Sequence, residues 1–382
     1  MKPKLRFKNF NDNWITCTIK DVAAVVGGGT PDTSNPKLWN GSINWFTPSE
    51  IGKSKYISNS ERKITELGVQ KSSAKLLPIG TILLSSRATV GEASILQNNQ
   101  ACTNQGFQSL IAHKNINNEF LYYLKDKYKK NMLNKAFGST FLEISKSNIE
   151  KIKINIPTIE EQTKISNFLS LLDKKIELQS KKIEDLKLFK SYTKNKLFQN
   201  GNQVIKLGKI LIKWNKKNKD GSIKYVESIS NKYGFISQAD QFEDRNVASK
   251  DLKNYYVIEK NVFGYNPSRL NVGSLALKDN NNISVVSPLY ECFTTNQNNK
   301  FMLEWFDSIY FKKGTMSKFE GGVRNTLNFT NLCEIEINLP SLELQNKYAN
   351  YLSTFDKKIL LEEKKLTELR NLKKGLMQSM FV

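Results

Sequence analysis

The stretch INIPTIEEQTKISNFLSLLDKKI, residues 154–176, returns at residues 337–359 as INLPSLELQNKYANYLSTFDKKI, with nothing inserted or lost between the copies. Thirteen of the 23 aligned positions are identical. Each copy begins in an alternating apolar run, KIKINIP ending at Pro157 and EIEINLP ending at Pro340, that reads as a short strand. Beyond each proline the apolar period changes from two to about three and a half. The first series is Ile165, Leu169, Leu172, Ile176, Gln179, Ile183, Leu186, Thr193 and Leu197. Its counterpart is Tyr348, Leu352, Phe355, Ile359, Glu362, Leu366, Leu369, Leu376 and Met380. Spacings that alternate four and three mark a coiled-coil seam. Lys190 and Lys373 break both series at the same place, with Phe189 and Leu372 beside them as the expected substitutes.

Forty residues of helix make a rod of about 60 Å. A lone rod with one apolar stripe must bury that stripe somewhere. Two stripes of matched length in one chain are expected to bury each other. An antiparallel pair is favoured, because duplication then gives a pseudo-twofold arrangement with the intervening domains at opposite ends. The competing reading packs each helix on its own domain. Gln179 and Glu362 hold equivalent seam positions, and a buried Glu there must be paired or protonated.

The duplication extends beyond the helices. SSRATVG (85–91) aligns with PSRLNVG (267–273), and GSTFLEISKSNI (138–149) parallels GGVRNTLNFTNL (321–332). Between these anchors the halves diverge. The expected order is a first domain over 1–157, a spacer helix over 158–204, a second domain over 205–340 and a C-terminal helix over 341–382. Short apolar runs bounded by Gly, Asn and Pro, such as 80–96 and 255–266, predict mixed β-rich domains. One helix is expected over 117–135 and another over 299–313. The fold class is therefore α+β: two mixed β-rich domains separated by a long antiparallel two-helix coiled coil. Equal rods between unlike domains suggest that the rods set a distance while each domain recognises something different.

The formal charge is +22. Residues 1–157 carry 22 basic and 11 acidic side chains, and residues 205–334 carry 19 and 13, so most of the excess lies outside the helical segments. A Lys- and Asn-rich composition accounts for part of it. The rest suits a polyanion, and nucleic acid is the expected one. No run of eighteen apolar residues is present, and the basic N-terminus lacks the apolar stretch of a signal peptide, so a cytoplasmic address without membrane contact is expected. Cys17, Cys102, Cys292 and Cys333 are scattered, which indicates neither a disulfide framework nor a zinc site.

Little in the sequence points to catalysis. His113 is the only histidine, which removes His-based metal clusters and makes a Ser-His-Asp triad improbable. Gly27, Gly28, Gly29, Thr30 and Pro31 lack the following Gly-Lys-Ser/Thr of a phosphate loop and read as a turn. Asn266, Pro267 and Ser268 lack the second proline and the aromatic ring of an adenine methyltransferase site.

The order of these elements resembles the specificity subunits of type I restriction–modification systems. The motifs that carry the resemblance are GGTP (28–31), TILLSSRATVGEAS (81–94) and IEEQ (159–162) in the first half. In the second half they are VFGYNPSRLNVGS (262–274), VVSPLYECF (285–293) and GGVRNTLNF (321–329). The GGTP turn has no clear match in the second domain, so the halves are free to use different loops. The resemblance implies a non-catalytic subunit with two target-recognition domains, each reading one half of a split sequence in double-stranded DNA. It implies assembly with two methyltransferase subunits and, for cleavage, two restriction subunits. S-adenosylmethionine, ATP and magnesium would then belong to those partners, with no cofactor in this chain. Other classes remain open: a self-contained DNA methyltransferase or nuclease, or a coiled-coil scaffold that does not bind DNA.

Basic loops would approach phosphates, with Asn or Gln reading adenine and Arg or Lys reading guanine. Lys213, Lys216 and Lys217 near Asn215 and Asn218 form a candidate DNA-contacting loop. Arg87 and Arg269 share one position in both halves, which suits fold support or phosphate contact better than base reading. Arg324 faces Phe141 in the alignment of the halves and is a candidate domain-specific contact. Trp39 and Trp45 are expected to anchor the first loop rather than stack on bases.

Overall fold

The run that ends at Pro157 is a strand, as its alternation predicts, and it closes a β-rich unit. The computed structural model describes residues 1–97, 101–136, 142–199, 201–231, 233–238, 251–316, 318 and 326–382. These divide into two compact units, one comprising Met1–Gln179 with Lys365–Val382 and the other Ser180–Lys364.

The first unit carries β1 (Ile15–Thr18), β2 (Ala23–Gly27), β3 (Trp39–Phe46), β4 (Tyr56–Ile57), β5 (Arg62–Ile64), β6 (Ile82–Leu84), β7 (Ala93–Leu96), β8 (Ala101–Thr103), β9 (Gln108–Ala112) and β10 (Lys153–Ile156). β10 pairs antiparallel with β1, Ile15 opposite Ile156. A five-stranded sheet runs β2-β9-β6-β7-β4, and a three-stranded sheet runs β5-β3-β8.

The second unit carries β11 (Gln203–Lys206), β12 (Leu211–Lys213), β13 (Glu227–Ser230), β14 (Gly234–Ser237), β15 (Tyr256–Ile258), β16 (Phe263–Tyr265), β17 (Leu275–Leu277), β18 (Ser284–Val286), β19 (Glu291–Thr295) and β20 (Glu336–Leu339). Its ribbon β11-β20 repeats β1-β10, and its four-stranded sheet runs β12-β19-β16-β17. Both apolar runs that end in proline are thus closing strands of matching ribbons.

The expected helix over 117–135 is two helices, Asn118–Tyr123 and Lys125–Lys135. Phe120, Leu121, Tyr122, Tyr123 and Leu124 are all buried, and a helix buried on every side cannot continue straight to a one-sided one. The break at Leu124 re-aims the chain so that Tyr128 and Met132 reach the same core. Its counterpart over 299–313 is likewise Asn299–Phe306 followed by Ile309–Met316.

The two repeats form the central helix Ile159–Gln199 and the C-terminal helix Leu342–Met380. Neither the mutual-packing nor the own-domain reading is complete alone, because each helix does both. In the first unit Ile165 and Leu169 of the central helix join Met380 and Phe381 in the domain core. In the second unit Phe198 joins Ala349 and Leu352 of the C-terminal helix in that domain's core. Within the second unit Lys182 pairs with Glu362 at 2.8 Å and Lys190 with Asp356 at 2.7 Å, while Phe189 meets Phe355 edge-on at 5.6 Å. Partners fall in number along one helix as they rise along the other, so the pair is antiparallel there. The first unit makes the matching pair, Lys373 with Asp173 at 2.5 Å.

The seam positions are buried or half-buried throughout, including Gln179, Leu186, Leu197, Leu366, Leu369 and Leu376. Glu362 is buried and paired, as its place requires. The expectation that Phe189 and Leu372 replace the seam lysines needs correction. Both are 53% exposed, whereas Lys190 and Lys373 themselves occupy the seam. A lysine lays its methylenes along an apolar stripe while its ammonium reaches a carboxylate, here Asp356 or Asp173.

Candidate nucleic-acid interface

Trp214 begins a segment strapped along β15: its indole N–H donates to the Val257 carbonyl at 2.7 Å, and Val257 N–H donates to the Lys216 carbonyl at 2.8 Å. This places Lys213, Asn215, Lys216 and Lys217 together on an exposed strip of the second unit. Lys213 lies 3.1 Å from Glu291, and Lys216 pairs with Glu259. Such surface pairs are worth little, so a phosphate can compete for either ammonium. The Lys217 ammonium sits 5.9 Å from the Tyr256 ring.

Asn218 differs from its neighbours. It is buried, its Nδ2 donates to the carbonyls of Ile223 at 2.9 Å and Leu252 at 3.3 Å, and its Oδ1 accepts from Ile223 N–H at 3.2 Å. That amide is engaged in shaping the loop that presents the lysines. Arg269 is exposed on the 3-10 turn Pro267–Val272, where it lines a cleft of about 260 Å³ with Ser228, Gln238, Asn266 and Tyr290. Arg87 is bound to Glu143 at 2.7 Å, across a bridge between the two repeated anchors of the first unit. Arg324 and Phe141 lie outside the described residues.

In the first unit the Gly-rich turn is a packed element. Gly29 N–H donates to the Thr103 carbonyl at 2.8 Å, and a Cβ on Gly28 would fall 2.1 Å from the Asn104 carbonyl oxygen. Trp45 donates its indole N–H to the Gly29 carbonyl at 2.8 Å, and Trp39 donates to the Asp32 carbonyl at 3.0 Å. The rings meet edge-on at 5.0 Å with the Arg62 guanidinium 3.7 Å above Trp39. Both tryptophans therefore anchor the loop, as expected. The His113 ring nitrogen lies 3.2 Å from the Asp21 carbonyl.

Sequence reasoning missed a repeated glutamine clamp. Gln162 donates to the Pro157 carbonyl at 2.9 Å and accepts from Asn117 N–H at 3.0 Å. Gln345 does the same with Pro340 at 2.9 Å and Asn298 at 3.1 Å. Asn117 and Asn298 in turn cap the helices that begin beside them. Each clamp fixes a long helix to the domain it leaves; its signal in the sequence is the identical Gln of IEEQ and LELQ.

A second polar knot ties Lys55, just before β4, and the helix Asn118–Tyr123 to the central helix. The Lys55 ammonium donates to Glu119 at 2.8 Å and to Ser170 at 2.7 Å, while Tyr123 donates to Asp173 at 2.6 Å. Burial pushes Lys55 below the usual ammonium range, partly offset by Glu119. Burial opposes ionisation of Glu119, but hydrogen bonds from Lys55, Ser170 and Tyr56 hold its carboxyl below the usual range.

With this geometry in place, the chain matches the family described as type I restriction modification DNA specificity domain twice, over residues 11–188 and 198–371. The chain belongs to that family. Among the family's curated members it is similar to the type I restriction enzyme MjaIX specificity subunit of Methanocaldococcus jannaschii, 39% identical over 192 residues, or 47% of this chain and 44% of the relative. It is also similar to the EcoR124I/EcoR124II specificity subunit of Escherichia coli, 31% identical over 175 residues, or 44% and 43%. The matched regions thus span less than half the length of either relative. The fold is shared with the type I restriction–modification S subunit from M. genitalium, with a TM-score of 0.57, 18% identity, and coverage of 100% of this chain and 99% of that one. A chain from a structure titled for complex assembly and conformational transition of the type I system gives a TM-score of 0.63 at 15% identity, covering 97% and 98%. Among the described residues no helix is long and apolar enough to cross a membrane.

Proposed function

We propose that this chain is the DNA-reading subunit of a type I restriction–modification complex, with each β-rich domain recognising one half of a divided target in double-stranded DNA. One observation carries the reading: two helical repeats of nearly equal length, 41 and 39 residues, alternate with two domains that match the same family but have diverged from each other. Nearly equal helices suit a fixed spacing, and unequal domains suit unequal half-sites. The basic strip at Lys213, Asn215, Lys216 and Lys217 and the exposed Arg269 are proposed contacts in the second domain, gaining affinity by phosphate neutralisation. Arg324 joins them by its sequence position alone. Arg87, held by Glu143, is proposed as fold support.

The helices would seat two methyltransferase subunits and, for cleavage, two restriction subunits. S-adenosylmethionine, ATP and magnesium would act in those partners, while this chain contributes recognition and no bond-making step. Exchanging residues 205–334 for the equivalent domain of an unrelated family member tests the reading by methylome sequencing. One block of the methylated motif should change while the other stays. Simultaneous change of both blocks would contradict separate reading, and methyl transfer by the purified chain alone would select a self-contained enzyme instead.

A further inference from the structure

Arginine is scarce in this chain, seven residues among 58 basic ones, so lysine supplies almost all of the positive charge. The first domain, residues 1–157, holds three of them. Arg6 donates to both carboxylate oxygens of the buried Glu161, each at 2.7 Å, and Arg87 is bound to Glu143. Arg62 differs. It is exposed at the start of β5, and among the described residues its side-chain N–H groups have no hydrogen-bond or ion-pair partner. Its guanidinium carbon lies 3.7 Å from the centre of the Trp39 ring and 5.4 Å from that of Trp45. A carbon so near a ring centre must stand over the face, because the ring's own edge excludes an approach in its plane.

The platform beneath it is fixed. Trp39 and Trp45 are buried, with their indole N–H groups held by the carbonyls of Asp32 and Gly29. Arg62 sits opposite Trp45 in the pairing of β5 with β3. Ser60 Oγ donates to the Arg62 carbonyl at 2.5 Å and accepts from Trp45 N–H at 2.9 Å. The Glu61 N–H donates to the Glu50 carboxylate at 2.8 Å, which ties down the other neighbour. Stacking covers one face of the guanidinium and leaves its edge, where the N–H donors lie, open to a partner. Such a fork matches two acceptors held in one plane. On duplex DNA those are the O6 and N7 of guanine in the major groove. A phosphate needs only charge, and lysine supplies that. Lys63 and Lys37, whose carbonyl accepts from Thr65 at 3.0 Å, are both exposed and hold no ion pair among the described residues.

We propose that Arg62, held on the Trp39 ring, is a specificity-determining residue of the first domain and reads one guanine of its half-site through the paired N–H groups of its guanidinium. The assignment rests on the function proposed above. Its test uses the full chain with the methyltransferase subunit of its own system. Methylome sequencing gives the two blocks of the motif, and the block that persists when residues 205–334 are exchanged belongs to the first domain. Arg62→Lys keeps the charge and loses the planar fork. It should admit other bases at one guanine of that block, while the second block and the Tm of the chain stay unchanged. On duplex DNA, 7-deazaguanine at that position removes the N7 acceptor. Wild-type binding, read by fluorescence anisotropy, should weaken about tenfold or more, whereas the Arg62→Ala chain should not distinguish the two duplexes. That comparison reads the same contact even if a variant no longer methylates. A first block without a G·C pair, or a motif unchanged by Arg62→Lys, would overturn the assignment and leave the proposed function standing. Equal weakening on every sequence, with a salt slope lower by about one, would make Arg62 a phosphate contact and overturn it as well. No divided motif dependent on the wild-type chain would overturn the functional reading itself.

Discussion

Lys278 and Glu227 show how little a single residue's role can be read locally. Lys278 lies in LALKDN, one lysine among many, yet its side chain has no solvent exposure and its ammonium bonds Glu227, 51 positions earlier. Ser284 donates to the same carboxylate, and the ammonium lies 5.8 Å from the Phe235 ring. Removing one member leaves a buried charge without its partner, at a cost of about 3–5 kcal/mol. Lys278→Met should therefore lower the urea midpoint sharply. Adding Glu227→Leu should recover part of that loss, and a double variant as unstable as the sum of the two single changes would refute the buried pair. Asn218 teaches the same lesson in reverse. A loop rich in Lys and Asn reads as a contact surface, but nothing local says which amide turns inward.

At the scale of elements, spacing of four and three identified both long helices and their seam. What it misjudged was how the breaks in the seam are filled, by Lys190 and Lys373 themselves rather than by Phe189 and Leu372. Lys190 donates to Glu304 at 2.5 Å as well as to Asp356, with both the lysine and Glu304 largely buried. Burial alone would lower the Lys190 pKa, but these carboxylates outweigh it and raise the value above that of an ordinary lysine. Its contribution is thus fully present below the ordinary lysine pKa and is lost as pH rises past the raised one. A double-mutant cycle with Lys190→Met and Glu304→Gln should give a coupling of about 1–3 kcal/mol, constant from neutral pH to about pH 9. The exposed Lys347–Glu343 pair, screened by solvent, should give a clearly smaller coupling. Equal couplings in the two cycles would show that the seam lysine is no more than a surface charge.

For the whole molecule, the repeat makes the spacing hypothesis quantitative. Removing residues 179–185 and 362–368 takes seven matched positions from each helix, keeps the heptad phase and deletes Lys182 together with Glu362. Seven residues are about 10 Å of helix, or about three base pairs at ~3.4 Å each. Methylome sequencing should find both half-sites unchanged and the gap between them shorter by about that number. An unaltered gap would rule out the helices as the ruler. The order of domain, helix, domain and helix was legible from the duplication. The division of each helix between two cores was not, because a periodic stripe states that a face is buried without naming what covers it.

Sequence alone determined the repeat, the strands that close at Pro157 and Pro340, the two helices and their buried faces. All of these depend on residues a few positions apart, where backbone geometry converts spacing into a shared side. Tertiary structure decided which lysines are bound to carboxylates, that Asn218 turns inward, and that Gln162 and Gln345 clamp each helix to its domain. Those outcomes rest chiefly on partners from 34 positions away, as in Asn218 with Leu252, to 200 away, as in Lys373 with Asp173, brought together only when the chain packs.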